Sequence, residues 1–360
     1  MPAPPRAAWA LRGGSGLHAV ESRIRRNTIR CIILSPMKYS IPLTCALAVC
    51  VVRAEVKVTQ SADRIAVVID GQPFGDLVFG PGVFKPYFYP LRSASGKIMT
   101  REWPMHEVAW EKGEKHDHPH QRGLWFAHDD VNGFRYWMSD PLNKPNPEMG
   151  KIVVSKILDV KSGNDAGSFT ALFDWNDPSG KTIMTEQRTM TFHAGPKMRI
   201  VDVVIALTPK QKVTFGDTKE GTFGIRLNPE LEEQGHSGHI VNAEGAQGEK
   251  NVWGKPSNWV DYYGAVDGEP LGIAVFDHPD NPRHPVRWHV RGYGLFAANP
   301  FGLAEFTNDK SKNGAMTFDA GKTVTFRYRV VIHPGDYKTA NIAHLYETWA
   351  GKARGSEKTE

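Results

Sequence analysis

The chain has 360 residues, 40% hydrophobic and 23% charged, a composition that supplies a folded core and excludes a disordered or low-complexity chain. Its formal net charge is +5, but eight of the 44 basic residues and one of the 39 acidic ones fall in the first 54 positions. That leaves 36 against 38, a charge of −2, so basicity gives no argument for nucleic acid or an anionic membrane as partner.

The chain opens on an Arg-rich stretch without periodicity, which runs to a second methionine, Met37. From there "MKYSIPLTCALAVCVVRAEVKV" offers Lys38, an apolar run from Ile41 to Val52, and Val52-Arg53-Ala54 as a small-residue cleavage pattern. The expected translation start is Met37, with a signal peptide over 37–54 and Glu55 as first mature residue. Such a leader sends the protein to the periplasm or outside the cell. The apolar run is about twelve residues, too short to cross a bilayer, and no later run reaches eighteen. No integral membrane segment is therefore expected in the mature chain. Cys31, Cys45 and Cys50 all lie in the leader, which leaves the remainder without disulfides, thiol nucleophiles or cysteine ligands.

From Glu55 to about Val331, short runs of β-branched and aromatic residues alternate with Gly, Pro, Asn and Asp. "RIAVVID", "GSFTALFDW", "KTIMTEQRTMTFHA", "KMRIVDVVIAL" and "KTVTFRYRVVIH" mostly follow the period of two of strands with one buried face. No Pro/Ser-rich linker interrupts residues 55–353, which reads as one large antiparallel β-sandwich, an all-β domain. Helical spacing occurs at Ile342, Leu345, Tyr346 and Trp349, predicting one C-terminal helix docked on a sheet edge. Residues 354–360 are expected to be a disordered tail.

The densest chemistry is "HDHPHQRGLWFAH", residues 116–128. Three readings compete: a metal cage, an acid/base site, or a polar turn. Taken as a strand, residues 120–128 place His120, Arg122, Leu124, Phe126 and His128 on one face and Trp125 on the other. "RWHVRGYGLF" likewise sets Arg287, His289, Arg291 and Tyr293 on one face, opposite Trp288. Two strands each presenting His and Arg could converge on one concave surface. "DHP" also recurs, at Asp117–Pro119 and Asp277–Pro279, each time before a Gly-Leu-aromatic strand. Either these are Asx-type turns feeding strands, or two equivalent loops, with His278 in the second, point at one site.

A metal would draw on His116, His118 and His120, since alternate histidines on a strand can share an ion. Gln and Arg stand where a carboxylate ligand is wanted, and His128 would lie roughly 26 Å from His120 along an extended strand. Acid/base or hydrogen-bonding work on a polar substrate is preferred, and no cofactor is predicted. Trp103, Trp125, Trp253, Trp259 and Trp288 sit beside charged or Gly/Pro-rich segments, and a flat indole can pack on a sugar face. Glu186, Arg188, Arg226, Asn228 and Glu305 add charges and polar groups near strand ends. No GxSxG elbow, P-loop or dinucleotide fingerprint follows a strand.

"KPYFYPLRSASGKIMTREWP", "DHPHQRGLWFAHDDVNGFRYW", "GEKNVWGKPSNWVDYYG" and "FDHPDNPRHPVRWHVRGYGLFAANPFG" together resemble a bacterial family labelled PmoA-like and also known as DUF6807, over roughly residues 60 to 350. The label implies methane oxygenation, whose membrane subunit is a multi-helix integral protein, whereas no span is found here. Members look like companions of sugar oxidoreductases, and the strand pattern is similar to galactose-mutarotase-like supersandwiches. The family-like positions are His116, Asp117, His118, His120, Arg122, His128, His278, His284, His289 and Arg291, and the resemblance carries no catalytic assignment to them.

The expectation is a protein acting on a carbohydrate or sugar derivative, with a small molecule or oligosaccharide as partner. Chemistry of epimerase, isomerase, lyase or hydrolase type would use His118 or His120 with His289 as acid and base. Arg122, Trp125, His128, His278, Trp288 and Arg291 would hold the substrate. The alternatives are a non-catalytic carbohydrate-binding module and a metal-dependent oxygenase.

Overall fold

The computed structural model describes residues 55–109 and 116–356; the expected leader, with Met37, lies outside the described residues. Among these, strands form where the sequence alternates. In "AGSFTALFDWN", Phe169, Ala171, Phe173 and Trp175 are buried and the residues between them half-exposed.

In chain order the strands are β1 (Val56–Gln60), β2 (Arg64–Ile69), β3 (Gln72–Val78), β4 (Tyr87–Tyr89), β5 (Leu124–His128) and β6 (Lys151–Lys161). There follow β7 (Ala166–Asn176), β8 (Thr182–His193), β9 (Arg199–Pro209), β10 (Val213–Phe215), β11 (Gly221–Arg226) and β12 (His239–Asn242). The last are β13 (Trp259–Val266), β14 (Glu269–Asp277), β15 (Arg287–Val290), β16 (Leu295–Asn299), β17 (Met316–Phe318) and β18 (Val324–Pro334). One eight-stranded sheet runs β1-β2-β3-β4-β5-β11-β16-β15 and a second β12-β13-β14-β18-β9-β8-β7-β6, with β10 and β17 as a separate pair. The expected antiparallel β-sandwich is found.

Aromatic side chains weld the two sheets. Phe223 on β11 stacks on Tyr328 of β18 at 4.4 Å, Phe126 on β5 meets Phe326 of β18 at 6.1 Å, and Phe88 on β4 meets Phe192 of β8 at 5.3 Å. Burying each such ring stabilises the fold by about 1.5–3 kcal/mol before entropy is counted. Glu186 and Arg188 also belong here: both side chains are buried, and Arg188 Nε donates to Glu186 Oε1 at 2.6 Å. Trp175 Nε1 donates to the other carboxylate oxygen, so this pair is a buried core element rather than part of a surface site.

The C-terminal helix is α3 (Ile342–Ser356); α1 (Glu249–Val252) and α2 (Ala304–Thr307) are single turns. It packs on a sheet face instead of the expected edge: Ile342, Tyr346 and Ala350 bury against Val241, Trp259, Ala274, Phe276 and Val331. Those residues come from β12, β13, β14 and β18, whose outer face carries an apolar patch that the helix covers.

In the first sheet, Leu124 pairs with Ile225 and Arg226 with Leu295. The start of β5, the end of β11 and the start of β16 therefore open at one end of the sheet. One row across its outer face runs Trp125, Gly224, Ala297, His289.

Candidate functional site

The histidine-rich stretch is not a strand until Leu124. His118 has φ 50° and Gly123 φ 51°, two left-handed residues that turn the chain before the ladder begins. At Gly123 a Cβ would lie 2.3 Å from the Phe88 carbonyl oxygen, so only glycine lets the loop pass β4 this closely. The alternation expected from residue 120 fails for this reason, and side chains of the loop and strand point independently.

Arg101 fixes the loop. It is almost fully buried; Nη1 donates to the Asp117 carbonyl at 2.9 Å, and Nη2 to the carbonyls of His118 at 3.0 Å and Gln121 at 3.3 Å. Its own backbone N–H donates to Arg226 O at 3.0 Å, tying the loop to the end of β11. One guanidinium fork thus serves three carbonyls, a geometry lysine does not reproduce.

Above it lies a stack. The His118 ring is parallel to Tyr293 at 5.5 Å, and Tyr293 lies beneath the guanidinium of Arg226 at 4.7 Å and that of Arg291 at 5.5 Å. Arg226 donates through Nη1 to Gln121 Oε1 at 2.8 Å and lies 3.5 Å from both Asp117 and Glu232. Arg291 pairs with Glu249 at 3.0 Å. His118 Nδ1 is 3.0 Å from Asp117 Oδ1, close enough for strong electrostatic coupling though not in hydrogen-bond geometry. The His118 side chain is 39% exposed and marks the solvent side.

His120 lies behind it, edge-on to His118 at 5.6 Å and 1% exposed. Its Nδ1 meets Asn143 Nδ2 at 3.3 Å, while Nε2 is buried without a hydrogen-bond partner among the described residues. Burial, reinforced by the positive charges of Lys85, Arg101 and Arg226, drives its pKa well below the ordinary histidine value, so the ring is neutral. A neutral imidazole with one buried, unanswered nitrogen costs free energy unless a guest answers it.

Lys85 is a third buried basic side chain of the site, beside Arg101 and Arg226. Its Nζ donates to Ser139 O at 2.8 Å, and burial pulls its pKa down to about 7, against the pull of Asp140. A cleft of about 640 Å³, lined by Arg135, Met138, Asn143, Asn146 and Glu148 among others, reaches Asn143 from outside.

The structure thus brings together His118, His120 and Arg291 of the residues singled out from the sequence, with Arg226 and Tyr293 between them. It separates the others. His289 faces the same side of the sheet; β11 and β16 lie between its strand and β5, though it stays within electrostatic reach of His118 and Arg291. Its Nδ1 meets Lys219 O at 2.8 Å, and burial takes its pKa down to about 3.

Arg122 is consumed by Asp140, with Nε at 2.5 Å and Nη2 at 2.9 Å, a two-pronged structural clamp. Trp125 is 1% exposed against Trp137, and Trp288 is fully buried with Nε1 donating to Ser257 O at 2.9 Å. Neither indole presents a face to solvent. His128 points into the sandwich, between Phe215 and Phe301, with Nε2 2.8 Å from Gly216 O. His278 follows β14 in the other sheet and meets Trp349 of α3 edge-on at 4.8 Å, so the two "DHP" turns serve different sheets. His116 stacks flat on Trp103 at 4.8 Å, away from a shared ligand set with His118 and His120. Among the described residues no group of three or more His, Cys, Asp or Glu is placed to hold a metal ion.

Sequence reasoning missed Arg101, Lys85 and Asn143. Arg101 and Lys85 sit before Glu-Trp-Pro and Pro-Tyr-Phe, with no spacing signal; only long-range packing reveals them. Among the described residues no helix is long and apolar enough to cross a membrane, which leaves strands out of account.

No curated protein matches the chain. Solved structures similar to it include a galactose mutarotase-like protein from Clostridium acetobutylicum, at 11% identity and TM-score 0.40, covering 78% of this chain and 98% of that one. The α-galactosidase from Lactobacillus brevis is similar at 9% identity and TM-score 0.37, over 78% of this chain and 39% of that one. A heparan sulfate lyase mutant from Pedobacter heparinus is similar at 11% identity and TM-score 0.35, over 78% of this chain and 37% of that one. The chain therefore spans about two fifths or less of the last two. Likenesses this slight carry no argument about chemistry, and the fold rests on the strand pairing above. The model of the family of unknown function DUF6807 matches residues 64–347, from β2 past β18 and through every residue of the site. The chain belongs to that family.

Proposed function

We propose that the protein is an enzyme that moves protons on a sugar derivative at the His118–His120 site. The observation that carries this reading is the pair of imidazoles 5.6 Å apart with different partners: a carboxylate beside His118 Nδ1, and an unanswered, buried Nε2 on His120. The negative charge of Asp117 at 3.0 Å favours a proton on His118 Nδ1 over Nε2, and the side chain is 39% exposed. Arg226, Tyr293 and Arg291 supply a cationic and aromatic wall suited to an oxygen-rich, ring-shaped substrate. His289 falls outside this pair, and acid and base are assigned within the loop itself.

A mutarotase-like or other carbohydrate-active role fits this wall, and the periplasm or cell exterior remains the proposed location on the strength of the leader pattern. A metal-dependent oxygenase, which the methane-oxygenase label implies, finds no support in the donor set, since His116 is stacked on Trp103. The test is a screen of reducing and oxidised sugars by proton NMR, wild type against His118→Ala. Conversion lost by about 100-fold or more in the variant supports the reading; equal conversion by both defeats it.

A further inference from the structure

The tautomer of His120 is fixed by its neighbours. Asn143 Nδ2 donates to Met138 O at 2.5 Å, so the amide cannot be turned to bring its oxygen there without two oxygens colliding. The same nitrogen faces His120 Nδ1 at 3.3 Å and has only protons to offer. His120 Nδ1 is therefore the acceptor, and the ring's single proton sits on Nε2, the atom with no acceptor among the described residues. His118 is opposite: the carboxylate charge 3.0 Å from Nδ1 favours the tautomer with its proton there and the lone pair on Nε2. Two neighbouring histidines thus present one N–H donor and one lone pair.

We infer that the substrate is a sugar derivative bearing a carbonyl group, whose oxygen takes a hydrogen bond from His120 Nε2–H while His118 Nε2 removes a proton from the adjacent carbon. This rests on the proton-transfer reading above and narrows it. A neutral imidazole is too weak an acid to protonate a departing glycosidic oxygen, but it can polarise a carbonyl as its π electrons move to oxygen. In the step, the C–H bond breaks and its proton goes to His118. The C–H electron pair forms the C=C of an enediol or enolate, and the carbonyl electron pair moves to the oxygen held by His120. Return of the proton to the same face of the same carbon gives hydrogen exchange; return to the former carbonyl carbon, with a hydroxyl proton moving between the oxygens, gives isomerisation. No oxidant, reductant or metal enters the balance. Arg226 and Lys85, both buried, add positive potential where the oxygen gains charge.

Two measurements test this. Long-range proton–nitrogen NMR of the whole, uniformly nitrogen-15-labelled protein, with His120 assigned by comparison with His120→Gln, should show the Nε2–H tautomer from pH 6 to 8. A proton on Nδ1, or an imidazolium at pH 7, overturns the inference without touching the reading above. The second is incubation in heavy water with open-chain-accessible aldoses and ketoses on one hand and non-reducing glycosides on the other, followed by proton NMR. Loss of the hydrogen next to the carbonyl is expected with the first group only. It should slow at least 100-fold in His118→Gln, and more in His120→Phe than in His120→Gln, which keeps an N–H donor. Conversion of the carbonyl-free glycosides alone overturns the inference and leaves the wider reading standing; absence of conversion in both groups overturns both.

Discussion

Lys85 offers a quantitative test of how the site is held. In the unfolded chain its amine titrates near 10.5, whereas in the folded protein burial brings it to about 7. Between these values the unfolded chain binds the extra proton, so stability attributable to this group rises with pH. The full cost of charging the buried amine is roughly 5 kcal/mol below pH 7, fading to nothing above about pH 10.5. Between pH 7 and 9.5 the change is about 3 kcal/mol. Lys85→Met removes this dependence and gives up one hydrogen bond to Ser139 O, a loss of about 1–3 kcal/mol that does not vary with pH. Urea unfolding of both proteins at the two pH values, followed by circular dichroism, isolates the effect, because all other titrating groups cancel in the difference. The wild type should gain about 3 kcal/mol on the variant between pH 7 and 9.5. A difference that stays constant within 0.5 kcal/mol, on the order of the error of such fits, would refute the burial argument.

Other outcomes follow from the same geometry. His128 and His289 are lowered to about 4 and about 3, so stability should be complete above pH 6.5 and fall as the pH drops towards 4. His128→Gln should flatten that fall by up to about 3 kcal/mol in urea midpoints at pH 7 and 4.5, and an unchanged slope contradicts the buried, neutral assignment. Arg101→Lys loses the forked contact with three carbonyls and should cost about 2–4 kcal/mol while abolishing sugar conversion; full stability and activity would deny its anchoring role. Trp288→Phe should destabilise by roughly 1–3 kcal/mol, because Ser257 O loses its partner, without altering sugar affinity measured by calorimetry.

Strands were legible because period-two burial is a local property, as in Phe169 to Trp175. The histidine loop was legible because four imidazoles in thirteen residues need polar partners wherever they fall. What the loop does with them was not. Extrapolating strand parity back from Leu124 put Arg122 and His128 on one binding face, but left-handed His118 and Gly123 reset the direction of the chain. Strands β5 and β15 proved to be separated by β11 and β16, so the two His/Arg segments meet only through Tyr293 and Arg291, an arrangement that long-range pairing decides. Tryptophans read as sugar platforms are enclosed, Trp125 by Trp137 and Trp288 by the sandwich, because exposure of an indole depends on what packs over it. Arg226 was visible as a charge at a strand end; that it would lie over Tyr293 and bond Gln121 was visible only in three dimensions.

The central claim is that His118 and His120 form the working pair. Its most direct test is solvent-hydrogen exchange and product formation on a panel of sugars, compared between wild type and a His118→Ala, His120→Ala double variant whose fold is verified by circular dichroism. The account predicts conversion by the wild type and none above background by the variant. Equal rates in the two proteins would contradict it and turn attention to another face of the sandwich.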